Sequence, residues 1–255
     1  MSYTYSDVDS SWDPERAVAW QERVDRWPQV RAYKGRILEL LAEAESVLDV
    51  GCGPGGDVLA VGRNRCVGLD RSLAMCRAAT ARGATVCRAD VHWLPFSEGR
   101  FEGSFADRVL QHVDDPDRAL GEMIRVLHPG GRVVVADPDQ ETLVIHIPDV
   151  DHRLVDRVKA LRRDIGYRNG RLISSLPARL AALGMADVTI DPFPLSLADP
   201  DDAFGLPAWP RLWRVQGGFS DRDLLEWDRG VERSREGGFL YSLIYFVVSA
   251  VRIEP

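Results

Sequence analysis

Val47-Leu48-Asp49-Val50-Gly51-Cys52-Gly53-Pro54-Gly55-Gly56 decides how this chain is read. An apolar run breaks into a glycine-rich turn, with a carboxylate two residues before the first glycine. Glycine is wanted where the backbone takes a positive φ or must approach a ligand with no Cβ in the way. A turn leading from strand into helix also presents backbone N–H groups to a bound group. Gly51, Gly53 and Gly56 satisfy the Gly-x-Gly-x-x-Gly spacing of dinucleotide sites, which alone is a weak signal. Asp49 argues against that occupant, because its charge repels a pyrophosphate and attracts an ammonium.

Downstream, a second apolar strand at 66–69 ends in Asp70. That is about 20 positions after the first glycine, where an acidic side chain grips ribose hydroxyls. Helix capping is the other role open to Asp70, with Ser72 in competition, and the two roles can coexist. Residues 72–82 follow as an amphipathic helix with Leu73, Met75, Cys76 and Ala79 inward, stopped at Gly83. A third strand at 84–88 leads into Ala89-Asp90-Val91-His92-Trp93-Leu94-Pro95-Phe96. The fourth, 101–110, carries Arg108-Val109-Leu110-Gln111-His112-Val113 at its carboxyl end. Asp114-Asp115-Pro116 opens a helix whose buried stripe is Ala119, Leu120, Met123, Ile124 and Leu127. His128-Pro129-Gly130-Gly131 ends it, and 132–136 is the fifth strand. Strand–helix alternation with short links predicts right-handed crossovers and a parallel sheet. Such a sheet binds ligand at the carboxyl ends of its strands. Asp49, Asp70, Asp90, Arg108 and Asp137 all fall near those ends, a convergence that depends on no single motif.

The glycine turn with Asp49 resembles motif I of the class I S-adenosylmethionine (SAM) methyltransferases. Asp90 followed by Leu94-Pro95-Phe96 resembles that family's third strand end. The run 110–138 closely resembles the UbiE-like, "type 11" small-molecule group, in which a Leu-x-Pro-Gly-Gly turn precedes strand five; here His128 fills the x. The resemblance covers 33–142 well and the remainder in outline. It implies an α/β fold: a Rossmann-like, seven-stranded, mostly parallel sheet with helices on both faces and an antiparallel last strand. It implies one domain over 1–255, with an N-terminal helical lid at 1–45, a SAM-binding core at 46–142, and a C-terminal part at 143–255 with a substrate cap at about 191–238.

By the same resemblance the cofactor is SAM, with S-adenosylhomocysteine (SAH) as product. Gly51, Cys52 and Gly53 would admit the methionine part, Asp49 its ammonium, and Arg108 would lie near its carboxylate. Asp70, with Arg71, would hold the ribose, and Asp90 with Val91 the adenine. The implied reaction is an in-line displacement in which the protein mainly aligns its reactants. Related sugar O-methyltransferases have a histidine in a matching Leu-x-His motif and an aspartate matching Asp137. That implies His112 as general base, with Asp137 stabilising the imidazolium. A non-titrating role for His112, capping a helix or lining the pocket, stays equally open.

Upstream, 12–44 reads as helical with a break at Trp27-Pro28, and Ile37, Leu38, Leu41 and Ala44 facing a sheet. Trp12, Trp20, Trp27 and Tyr33 either fill a gap against the body or form a lid. Beyond Asp137, Leu154, Val155, Val158, Leu161 and Ile165 mark one helix, and 171–183 another. A strand at 186–190, a helix at 221–235 and a last strand at 239–251 follow, the two strands pairing antiparallel at the sheet edge. Between them, 191–218 is rich in proline and aromatics, including Phe193, Phe204, Trp209 and Trp213. It suits a cap over a hydrophobic or aromatic substrate, or a loop packed on itself.

The chain has 255 residues, 45% hydrophobic and 28% charged, enough for a sizeable core. A net charge of -7 argues against a nucleic-acid partner. Residues 1–11 lack a secretory signal pattern, and 239–251, the longest apolar run, is too short for a bilayer. Cys52, Cys66, Cys76 and Cys87 form no Cys-x-x-Cys pair and have no spaced histidine partners, so reduced thiols in a cytoplasmic protein without a metal site are expected. The expected function is methyl transfer from SAM to a small, hydrophobic or aromatic metabolite. Three alternatives are weighed against it. A protein could keep SAM bound and use its pocket for another reaction. A NAD-dependent oxidoreductase fits only the glycine spacing. Macromolecular methylation by an amino-directed nucleic-acid enzyme lacks its Asn-Pro-Pro-Tyr motif, since Arg108-Val109-Leu110-Gln111 stands there.

Overall fold

The computed structural model describes Asp9 and residues 14–253; Trp12 lies outside them. Helices α1 (Pro14–Val24) and α2 (Pro28–Leu40) meet at Trp27-Pro28, where Trp27 is extended and proline takes the first helical turn. Strand β1 (Val47–Val50) is buried throughout, as a central parallel strand must be. After it come α3 (Gly56–Val61), β2 (Cys66–Asp70), α4 (Leu73–Ala81), β3 (Val86–Arg88) and β4 (Phe101–Asp107). Helix α5 (Pro116–Arg125), capped by the Asp115 side chain, leads into β5 (Leu127–His146). Helices α6 (His152–Leu161) and α7 (Leu172–Ala182) precede β6 (Met185–Leu197). Short helices α8 (Trp209–Leu212) and α9 (Arg214–Gly217), then α10 (Asp221–Ser234), lead to β7 (Leu240–Arg252).

The seven strands form one sheet in the order β3-β2-β1-β4-β5-β7-β6. Pairs β1–β2, β1–β4, β2–β3 and β4–β5 are parallel, and β7 runs antiparallel to both β5 and β6. This is the mostly parallel sheet with an antiparallel last strand that the sequence implies. Side chains alternate along each strand, so two cores form. Val47, Phe105, Val134 and Ala136 pack one face against Tyr33, Ile37 and Leu41 of α2 and against Trp209, Trp213 and Trp227. Leu48, Val50, Ala106, Val133 and Val135 pack the other against Leu120, Met123, Leu176 and Leu180. Asp49 alternates with Leu48 and Val50, and so lies on the α2 side.

Several boundaries differ from the sequence reading. Strand β4 stops at Asp107, and Arg108 adopts a left-handed φ of 60°, turning the chain toward the site. Strand β5 runs to His146, paired along β7 with an irregularity between Asp139 and Val144, so Asp137 lies within the strand and not at its end. Strand β6 continues to Leu197 through Pro192 and Pro194, which were read as the start of the cap. Proline is tolerated there because β6 is an edge strand, with no neighbour on its far side to demand an N–H. Leu73, expected inward, is 39% exposed.

Candidate active site

The β1–α3 turn is shaped by glycine where shape matters. Gly51 has φ 74°, and a Cβ there would collide with Val109. Gly53 has φ 51°, and a Cβ there would meet no atom within 4 Å. The first glycine closes the turn and the second leaves an open cradle. Gly53 N–H donates to Asp70 Oδ2 at 2.9 Å, and Ser72 N–H donates to Oδ1 at 2.8 Å. Asp70 thus ties the turn to the end of β2, while Ser72 caps α4 through the Met75 amide. Burial pushes the Asp70 carboxyl up, and those two amides pull it down. Each carboxylate oxygen retains a lone pair for a further donor. Asp9 accepts from the Ser72 hydroxyl and from the Leu73 and Ala74 amides, fixing the start of α4 from outside.

Asp49 is 2% exposed, and its Oδ2 has no hydrogen-bond partner. Burial, then the charge of Asp57, raises its carboxyl well above the ordinary range, against the pull of Lys34. A buried carboxylate without a donor costs several kcal/mol, and a bound ammonium would relieve that cost. Cys52 is buried in the same wall, its thiol pushed up by burial and by Asp49, which leaves it inert. At the end of β3, Asp90 accepts from the His92 N–H at 2.9 Å and meets His92 Nδ1 at 2.5 Å. His92 Nε2 accepts from the Asp115 N–H at 3.2 Å, so the proton belongs on Nδ1 and is donated to Asp90. Burial pushes the Asp90 carboxyl up, but His92 outweighs it and holds the group below its usual range. His92 therefore orients the third carboxylate.

Beside this row sits an ion cluster that no motif announces. Lys34 Nζ lies 3.0 Å from Asp25, 2.6 Å from Asp57 and 3.2 Å from Asp107. Arg108 lies 2.6 Å from Asp25 and 3.2 Å from Asp107, and Tyr33 donates its hydroxyl to Asp107 at 2.9 Å. Burial works against the charge on Lys34, but Asp57 and the other carboxylates outweigh it and raise its pKa. The one available signal was a lysine at position 34, in register with the apolar positions 37 and 41 of α2, where a solvated side chain is out of place.

One pocket unites these groups. Asp49, Gly51, Cys52, Gly53, Asp70, Arg71, Asp90, Val91, Arg108 and His112 all line it; Asp137 does not. Asp137 is 1% exposed, and neither carboxylate oxygen has a hydrogen-bond partner, so it makes no bond to His112. Burial and the charge of Asp107 raise its carboxyl well above the ordinary range. The same pocket is lined by Trp20 of α1, Phe204, His112, Tyr167 and Tyr245. The His112 and Tyr167 rings are 5.2 Å apart. Burial, followed by the charges of Arg162, Arg108 and Arg168, pushes His112 down to about 3. The tryptophans of 191–218 do not reach the pocket. Trp209 and Trp213 are buried in the core, and Phe204 alone of that segment lines the site among the described residues.

Comparison with known proteins agrees with this geometry. Residues 48–135 match a family described as a methyltransferase domain. An uncharacterized 37.1 kDa protein of transposon TN4556 from Streptomyces fradiae is 38% identical over 146 residues, covering 52% of this chain and 42% of that protein. A demethylmenaquinone methyltransferase of Mycolicibacterium vanbaalenii is 33% identical over 99 residues, covering 38% of this chain and 43% of that enzyme. The chain thus spans less than half the length of either relative. The crystal structure of the [4+2]-cyclase SpnF shares the fold, with a TM-score of 0.54 at 24% identity over 90% of this chain and 84% of that one. No helix among the described residues is long and apolar enough to cross a membrane. The methyltransferase-domain match over 48–135, the sheet order and the carboxylate-lined pocket all agree with the resemblance to SAM-dependent methyltransferases read from the sequence.

Proposed function

We propose that this chain transfers a methyl group from SAM to a small, partly apolar molecule. The observation that carries the reading is the row of Asp49, Asp70 and Asp90 at the ends of β1, β2 and β3, facing the open cradle above Gly53. The orphaned Asp49 oxygen suits an ammonium, Asp70 a ribose and Asp90 an adenine amino group, so the residues present fit the cofactor. When bound, SAM supplies an electrophilic methyl group on a sulfonium. The protein's part is then alignment and exclusion of water. Arg108 can receive a carboxylate if it exchanges contacts with Asp25 and Asp107, while Lys34 keeps α2 against the site.

Trp20, Phe204, Tyr167 and Tyr245 surround the acceptor end, which supports a small molecule with an aromatic or aliphatic body. His112 faces that space. Held neutral, it can accept a hydrogen bond from an acceptor hydroxyl and orient it, but is too weakly basic to be efficient at removing a proton near neutral pH. His112→Ala is expected to lower turnover more than tenfold while leaving SAH affinity, measured by calorimetry, nearly unchanged. Equal turnover in the variant removes His112 from the acceptor site.

The reading itself is tested with methyl-labelled SAM and extract from the source organism. Label in the organic-soluble small-molecule fraction is the expected result, and label in protein or nucleic acid overturns the acceptor class. A second reading, a SAM-bound protein running another reaction, draws support from the fold it shares with a [4+2]-cyclase. No label in any fraction, with SAH bound, would favour it.

A further inference from the structure

The acceptor end holds a charge that methyl transfer does not use. Arg162, where α6 gives way to a wide turn at 162–166, is 9% exposed. Its Nη2 donates to the Tyr167 hydroxyl at 2.6 Å, and its guanidinium lies 4.3 Å from the Tyr167 ring centroid and 4.2 Å from that of Trp209. Its Nε is buried without a partner, and among the described residues no carboxylate pairs with it. The other guanidiniums whose charge reaches His112 are both matched: Arg108 with Asp25 and Asp107, Arg168 with Asp114. Aromatic faces return part of the cost of burying a cation, but they are no countercharge, and a buried ion without one is unfavourable.

Hydrogen-bond direction adds a second observation. A guanidinium can only donate, so the Tyr167 oxygen is the acceptor in that bond and its own proton is left for another partner. Bonding to a cation strengthens the hydroxyl as a donor. Tyr167 lines the pocket beside His112. A polarised donor faces the acceptor space, then, backed by an unmatched positive charge.

We propose that the acceptor is an organic acid, bound through an anionic oxygen that accepts the Tyr167 hydroxyl and supplies the countercharge to Arg162. This inference rests on the methyltransferase reading and narrows its substrate class. An uncharged hydrophobe of the same shape would leave Arg162 unmatched.

The test uses SAH-saturated protein and two probes of one shape, 4-hydroxybenzoate and 4-hydroxybenzamide, titrated by calorimetry. The acid is expected to bind at least tenfold more tightly than the amide. Arg162→Met should erase that preference, Arg162→Lys should keep part of it, and Tyr167→Phe should weaken the acid several-fold while sparing the amide. Equal binding of acid and amide overturns the inference, as does absence of acid binding or a preference that survives Arg162→Met. Should Arg162→Met not fold, an unchanged preference in Tyr167→Phe overturns it and a lost one upholds it. Failure of SAH to bind the wild-type chain sinks the methyltransferase reading; SAH binding without an acid preference sinks only this inference.

Discussion

Asp49 and Asp70 serve one pocket in opposite states. Asp70 is preorganised, both oxygens already held by the Gly53 and Ser72 amides. Asp70→Ala removes the proposed ribose acceptor and loosens the turn, so SAH affinity should fall at least tenfold; unchanged affinity in a titration undoes the ribose assignment. Asp49 is unsatisfied, with a carboxyl raised well above 3.8 by burial and by Asp57, then shaped by Lys34, Asp107 and Asp70. Because its folded value is raised, protonation on acidification begins above 3.8, and the proton removes the charge an ammonium needs. SAH affinity should weaken as pH falls toward that range, whereas Asp49→Asn should bind weakly at every pH, with a flatter profile. A wild-type profile as flat as the variant's counts against the ammonium role. These carboxylates were legible because each lies near the carboxyl end of a strand, beside a turn. Lys34, Tyr167 and Arg162 were not, since each enters the site by tertiary packing from an element with no motif of its own.

At the scale of elements, the pocket is closed by two pieces remote in sequence. The Phe204 ring sits 6.1 Å from Trp20 and 5.8 Å from Trp27, edge-on to both, and Arg23 of α1 pairs with Asp202. Phe204 holds a left-handed φ of 52°, a conformation costing a non-glycine residue about 1–2 kcal/mol. Such strain persists only where surrounding contacts outweigh it. Phe204→Ala keeps the strain and loses the ring, so a stability loss of up to about 3 kcal/mol is expected for this half-buried side chain. Bound SAH should also dissociate faster in stopped flow. Unchanged dissociation would mean that α1 and the 200–208 segment do not cover the site. The helical break at Trp27-Pro28 and the first four strands could be read locally, from apolar runs and glycine punctuation. The ends of β5 and β6 could not, because their length is set by pairing with β7. Pro192 and Pro194 look like a loop until one side of the strand is known to face no neighbour.

In the whole molecule, the order β3-β2-β1-β4-β5-β7-β6 sets Asp70 and Asp90 on one side of β1 and Arg108 on the other, and one pocket gathers all three. The fold keeps an orphaned carboxylate oxygen on Asp49 and, among the described residues, a guanidinium on Arg162 that no carboxylate matches. Both costs are built into the folded state and disappear on unfolding, which makes stability responsive to the right ligand. A ligand that binds only the folded chain at a hundred times its Kd adds about 2.7 kcal/mol. For a chain of this size that corresponds to a rise in Tm of roughly 5–10 °C. SAH should produce a rise of that order, reduced in Asp49→Asn, which lacks the charge the ammonium meets. NAD should produce none, because Asp49 and Asp57 would face its pyrophosphate across a site with Lys34 already matched by three carboxylates. A shift with NAD equal to that with SAH would reverse the choice of occupant that Asp49 dictates, leaving the glycine spacing as a dinucleotide site.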